Sequence, residues 1–165
     1  MSEQSARDES AAARQAQADL RWLREAIELS RRCPPSATAF SVGAVLVSDA
    51  GDVISTGYSR ELDPKDHAEE VALARAADDP RLAGATLYSS LEPCLSRASR
   101  SRSCAELIAN AGIGRVVIAW LEPPLFTGGG GAARLRGTGV TVDEIPWLAE
   151  LARSVNAHLF VERGS

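Results

Sequence analysis

His67, Cys94 and Cys104 constrain this chain more than any other residues. An imidazole and two thiolates act together only if three separate segments meet at one point. Zinc held by three protein ligands keeps a fourth position for water, and that water becomes a nucleophile near neutral pH. Glu69, two residues after the histidine, cannot easily join the same metal, but it can stand beside the water and carry its proton. Any fold for this chain must therefore bring residues near 67, 94 and 104 together.

Hydropathy patterning predicts how. Leu20, Leu23 and Ile27 recur at helical spacing, with Trp22 and Leu29 widening the stripe. Arg31-Arg32 and then Pro34-Pro35 are stop signals for that helix. Val42 to Val47 and Val53 to Gly57, separated by Asp49-Ala50-Gly51-Asp52, predict a hairpin. An alanine-rich helix follows from about His67 to Ala77, then a strand from Ala85 to Ser90 running into Leu91-Glu92-Pro93-Cys94. Cys104 to Ala111 reads as a helix stopped by Gly112. Arg115 to Trp120 is a buried strand and Val140 to Val142 a short fifth one. Trp147 to Phe160 is expected to close the chain as one helix, with Leu148, Leu151, Val155 and Leu159 on its stripe. About twenty residues, with a short helix near Ala132–Arg136, separate the fourth and fifth strands; that length suits a crossover between parallel strands.

The expected fold class is α/β: a three-layer α/β/α sandwich on a five-stranded mixed sheet, with strands four and five parallel. The 165 residues suit one domain, placed at 19–163. Residues 1–18 lack a large apolar side chain and read as a flexible tail, frayed or loosely helical.

In such a sheet, sites collect where strands end and helices begin. His67 opens a helix, Cys94 follows a strand, and Cys104 begins the next helix. Helix N-termini also favour thiolates and carboxylates. Nine residues between the cysteines require a loop, whose closure entropy grows only slowly with length. A closed structural zinc site would usually want a fourth protein ligand. His158 and Cys33 are both remote in sequence, so the open, catalytic arrangement is the better reading. Cys33 reads as a packed or loop thiol.

Two further segments draw notice. Arg97, Arg100 and Arg102 alternate with serines just before the Cys104 helix. They suit either a phosphate clamp or a solvated loop. Gly128-Gly129-Gly130-Gly131 lacks the lysine of a nucleotide-binding P-loop and reads as a flexible connection or lid. Trp120 and Phe126 flank it and could stack on a base or fill the core.

A net charge of -4 disfavours a nucleic-acid-gripping surface and favours small substrates. No apolar run approaches the ~18 residues a membrane span needs, and no secretory signal opens the chain. A cytoplasmic location is expected. Three cysteines do not make a disulfide framework.

On these residues the chain resembles the cytidine deaminase-like superfamily and, within it, the pyrimidine deaminase domain of bacterial riboflavin biosynthesis. The resemblance rests on Val42-Gly43-Ala44-Val45-Leu46-Val47, Gly57-Tyr58, His67-Ala68-Glu69, Leu87-Tyr88 and Leu91-Glu92-Pro93-Cys94. Cys104 at its longer spacing and Ala111-Gly112-Ile113-Gly114-Arg115-Val116-Val117 extend it, so that it covers about residues 38–145. It implies that His67, Cys94 and Cys104 hold Zn2+, and that an activated water attacks a ring carbon bearing an exocyclic amine. Glu69 would take the water proton, protonate the ring nitrogen and deliver a proton to departing ammonia. The Ala68 amide would donate to a substrate carbonyl, and the protein would be a homodimer or homotetramer.

The implied substrate is a small aminopyrimidine-type heterocycle, first of all the phosphorylated diaminopyrimidine intermediate of riboflavin biosynthesis, with Arg97, Arg100 and Arg102 as substrate-binding candidates. Neither nucleic acid nor membrane is an expected partner. An unphosphorylated nucleoside or free base (cytosine-, guanine- or adenine-like) is the alternative, and a non-catalytic zinc-stabilised binding module is an alternative of another class. Two departures bear on the choice. Leu95 to Ser103 replaces the family's Ser-His-x-Gly-Arg-Thr-Pro-Pro and is one residue longer, and Phe40-Ser41 stands where Pro-Asn-Pro is usual.

Overall fold

The computed structural model describes residues 2–97, 99–126 and 128–161. The hairpin forms as its turn residues require: β1 (Gly43–Val47) pairs antiparallel with β2 (Val53–Tyr58). β1 also pairs antiparallel with β3 (Thr86–Ser89), and β3 runs parallel to β4 (Arg115–Ile118). β4 runs parallel to β5 (Thr141–Glu144), as the long connection predicts. The spatial order is β2-β1-β3-β4-β5, the five-stranded mixed sheet expected.

Alternation along the strands builds a core on each face. Ala44, Leu46, Leu87, Val116 and Ile118 face α2 (Ala68–Arg75), α3 (Cys104–Asn110) and α4 (Gly131–Gly137). Val45, Val47, Tyr88 and Val117 face α1 (Glu3–Ser30) and α5 (Ala149–Val155) on the other side. These are the three expected layers.

α1 starts at Glu3, so the stretch read as a tail is helical where described. Residues 3–17 are exposed, and side-chain bonds such as Gln4 to Asp8 run within the helix. Burial begins near Asp19. This carboxylate takes two hydrogen bonds from the Arg115 guanidinium (2.8 and 2.7 Å) and one from the Tyr88 hydroxyl (2.7 Å). Burial works against its charge, but the bonds from Arg115, Tyr88 and Gln15 outweigh it and hold the carboxyl below its usual range. A buried charge without such partners would be strongly destabilising.

The closing segment is not one helix. It divides into a 3-10 turn at Pro146–Leu148, α5, and a second 3-10 turn at Ala157–Phe160. Pro146 starts the first turn. The break after α5 falls at Asn156, whose side chain accepts from Ser41 N (2.7 Å) and donates to Ser41 O (3.1 Å). The predicted stripe is corrected accordingly: Leu148 and Ala152 are buried, whereas Leu151 and Trp147 are exposed. The predicted domain end at 163 lies outside the described residues.

Gly43 permits α1 to lie directly on β1. A Cβ at this position would overlap the Ala26 carbonyl and crowd Ser30 N, which are helix backbone atoms that cannot move aside. Gly43→Ala is therefore expected to destabilise the fold by about 1–3 kcal/mol or more. A lower urea midpoint at unchanged m-value would show it, and an unchanged midpoint would mean that α1 shifts at no cost.

Candidate active site

β2 delivers the chain through a loop to His67, which stands at the N-cap of α2 in extended conformation (φ -96, ψ 152). β3 ends at Ser89, and Leu91-Glu92-Pro93-Cys94 completes its turn at the cysteine. Cys104 is the first residue of α3, whose N-cap Ser103 accepts from Glu106 N. The three segments converge. His67 Nδ1 lies 3.5 Å from Cys94 Sγ and 3.3 Å from Cys104 Sγ. All three donor atoms lie within 4.8 Å of one another.

This set suits zinc. Bonds of about 2.0 Å to nitrogen and 2.3 Å to sulfur at tetrahedral angles put the two donors about 3.5 Å apart. Two sulfurs and an imidazole are also the soft-to-borderline donors that zinc prefers. The two thiols share protons unequally. Hydrogen bonding with Cys104, against burial, holds the Cys94 thiol down to about 4, with further help from His67. Hydrogen bonding with Cys94, then burial, pushes Cys104 up. The Cys104 backbone N–H donates to Cys94 Sγ at 3.2 Å, an additional bond that favours a thiolate there.

Glu69 does not join this donor set among the described residues. It is 3% exposed, and burial raises its carboxyl above the usual range, although the nearby His67 charge opposes the rise. Ser89 Oγ donates to its Oε1 at 2.8 Å. A buried carboxyl beside a metal-binding set, its charged form disfavoured by burial, is suited to accept and return a proton.

A cavity of about 320 Å³ opens onto His67, Glu69 and Cys94. Phe40 and Phe126 form an apolar wall, packed edge to face at 5.1 Å, and Phe126 remains 43% exposed. Trp120 packs on Phe40 and Phe160 instead of lining the cavity, so its burial role prevails. Arg60, in left-handed conformation (φ 60), fixes Phe40 by donating to the carbonyls of Pro34 and Phe40 and to Ser41 Oγ.

The three loop arginines separate. Arg97 lines the cavity, with its side chain 3% exposed. Its Nη2 donates to Lys65 O, and Nη1 lies 3.5 Å from Glu70 Oε1 and has no hydrogen-bond partner among the described residues. Arg100 instead pairs with Asp66 (3.2 Å), Asp63 (3.6 Å) and Glu70 (3.5 Å). Arg102 is exposed and lies outside the cavity lining. Glu70 also accepts from His67 N at 3.3 Å, so it ties the inter-cysteine loop to the metal-donor histidine. The Ala68 amide begins α2, and its side chain is fully buried.

The glycine run is held in place by its neighbours. Gly129 and Gly130 are left-handed (φ 69 and 92), and Gly131 starts α4 where a Cβ would overlap the Pro93 carbonyl. Glu92 accepts from Ala132 N (2.8 Å) and Glu122 N (3.0 Å), anchoring both ends of this segment beside Cys94. His158 bonds Ser36 O and Cys33 bonds Val42 O, so neither belongs to the donor set.

Sequence reasoning missed Phe40, Lys65, Glu70 and Ser89 as parts of the site. Glu70 was readable from its place three residues after the His67 N-cap, a capping-box spacing. The others became visible only when distant segments were brought together.

Residues 16–120 match the cytidine and deoxycytidylate deaminase zinc-binding region. The diaminohydroxyphosphoribosylamino-pyrimidine deaminase of Schizosaccharomyces pombe is 39% identical over 126 residues, covering 74% of this chain and 31% of that protein. The riboflavin biosynthesis protein RibD of Aquifex aeolicus is 36% identical over 146 residues, covering 86% and 38%. Among solved structures, RibD from Acinetobacter baumannii superposes with a TM-score of 0.71 at 31% identity, covering 87% of this chain and 39% of that one. The chain thus spans well under half the length of each of these relatives.

Proposed function

Because the chain belongs to the cytidine and deoxycytidylate deaminase family, we propose that it is a zinc-dependent hydrolytic deaminase of a small aminopyrimidine-type heterocycle. The observation that carries this reading is the buried Glu69 carboxyl beside a His67–Cys94–Cys104 donor set at the end of a cavity. Residues 19–163 act as one deaminase domain in this reading.

His67, Cys94 and Cys104 would hold the ion, which when bound supplies the Lewis acidity that activates water near neutral pH. Glu69 accepts the proton from that water and passes it to the ring nitrogen. As the exocyclic C–N bond breaks, Glu69 takes the second proton from the hydroxyl now on the ring carbon, which becomes a carbonyl, and delivers it to the leaving amine. One water is consumed and one ammonia released. Its burial, which raises the carboxyl, matches it to both directions of transfer. Phe40 and Phe126 offer flat apolar surface to the ring, and the Ala68 amide, at a helix N-terminus, would donate to a ring carbonyl.

The favoured substrate is the phosphorylated diaminopyrimidine intermediate of riboflavin biosynthesis. The named activities of the relatives support it, as does the buried Arg97 Nη1, a donor without a hydrogen-bond partner among the described residues, on a wall it shares with Lys65. Arg100 and Arg102 would contribute long-range charge and not direct contacts, since the first is neutralised by carboxylates and the second is exposed. A homo-oligomer is part of the reading, supported by the exposed apolar side chains of Leu121, Leu125 and Phe126. A cytoplasmic location agrees with two thiols that must stay reduced to bind metal. No helix among the described residues is long and apolar enough to cross a membrane.

Ammonia release by the zinc-loaded protein on this intermediate, measured beside its dephosphorylated form, tests the substrate. Turnover of the phosphorylated form alone is expected. Arg97→Ala should then raise its KM about 10- to 100-fold, the worth of a hydrogen bond to a charged group. An unchanged KM would remove Arg97 from the site, and turnover of neither form would move the substrate out of riboflavin biosynthesis, to a cytosine-, guanine- or adenine-like ring.

A further inference from the structure

Ser89 ends β3, the middle strand of the sheet, and is fully buried. Two residues along from Leu87, its side chain points to the face that carries α2. Its Oγ lies 2.8 Å from Glu69 Oε1 and 2.8 Å from Leu91 O. It is the one side-chain hydrogen-bond partner of Glu69 among the described residues.

The geometry is informative because a hydroxyl has one hydrogen and two lone pairs. It cannot donate to both neighbours at once. It stands between the Glu69 carboxyl, carried by α2, and the Leu91 carbonyl, in the turn after β3, and so ties that carboxyl to backbone fixed by the sheet.

We propose that Ser89 is a positioning residue that holds the Glu69 side chain in one rotamer. This rests on the reading of Glu69 as the proton carrier. Ser89 itself touches neither the substrate-facing atoms nor the metal donors in this account; it acts through Glu69. The backbone supports the role, since β3 is hydrogen-bonded on both sides, with Ser89 opposite Ala44 on one strand and Ile118 on the other. The hydroxyl therefore has a fixed origin, as a preorganised site requires.

Ser89→Thr and Ser89→Val test it together, because the two variants have the same shape and differ in the hydroxyl. Any packing cost of the extra methyl is common to both. Each should bind zinc at the wild-type ratio. The valine variant should lose about 10- to 100-fold in kcat with KM little changed, and the threonine variant should retain most of the wild-type kcat. Equal kcat values for the two would overturn the proposal. A crystal structure of the zinc-loaded valine variant gives a second reading that needs no substrate: Glu69 should leave its wild-type rotamer, and an unmoved Glu69 would also overturn it. If wild type releases ammonia from no heterocycle offered, the deaminase reading fails, and the crystal structure still decides whether Ser89 positions Glu69.

Discussion

Replacing Glu69 with glutamine is expected to lower ammonia release by about 10²- to 10⁴-fold, the range for removing a general acid–base group, with zinc still bound at the wild-type ratio. The exchange keeps the size and hydrogen-bonding shape of the side chain, so the buried site should not collapse. The glutamine oxygen can still accept from Ser89 Oγ, as Glu69 Oε1 does at 2.8 Å. The amide, however, has no lone proton to move. Glu69 lies outside the donor set among the described residues, so metal content should be untouched. Ammonia release, zinc content by elemental analysis and circular dichroism measured together decide the matter. Full turnover by a zinc-loaded, folded variant would rule out Glu69 as the proton carrier. Loss of zinc along with turnover would instead place the carboxylate among the metal ligands.

Cys104→Ala is expected to be the other large effect, and its first readout is the metal. Cys104 is fully buried at the start of α3, 3.3 Å from His67 Nδ1 and bonded through its N–H to Cys94 Sγ. Alanine leaves the helix intact, since it is the best helix former, but removes one of three donors. Changes even to the supporting partners of metal ligands cost about 10- to 100-fold in metal affinity, so loss of a ligand should exceed that range. Zinc content after dialysis against a weak chelator should fall to background, and ammonia release with it. The wild-type protein should also melt at higher temperature with zinc than without, as expected when a ligand binds only the folded state, and the variant should lose that shift. Wild-type zinc retention by Cys104→Ala would mean that the sulfur is a packed thiol and that the donor set has been misassigned.

Much of this fold is written locally. Asp49-Ala50-Gly51-Asp52 between two β-branched runs specifies the β1–β2 hairpin, and the length before Thr141 specifies a parallel crossover. The His67, Glu69, Cys94 and Cys104 spacing carries the metal and proton chemistry because those residue types have few other reasons to occur in that order. What escaped local reading depends on partners far away in sequence. The closing helix breaks at Asn156 because that side chain satisfies the backbone of Ser41, 115 residues earlier. The alternating Arg97, Arg100 and Arg102 look equivalent in a string. They differ in space because Asp63 and Asp66 arrive beside Arg100, Glu70 lies between Arg100 and Arg97, and only Arg97 lines the cavity. Ser89 reads as an ordinary strand-ending serine until α2 sets Glu69 above it.

The sheet changes sense at β3, with an antiparallel pair on one side and parallel strands on the other. His67 follows the antiparallel hairpin, while Cys94 and Cys104 belong to the crossover between two parallel strands. The donor set is therefore drawn from both the antiparallel and the parallel half of the sheet, and it is complete only once the whole sheet is in place. The three donors meet only in the completed sheet, so an ion bound there would stabilise the fold as a whole.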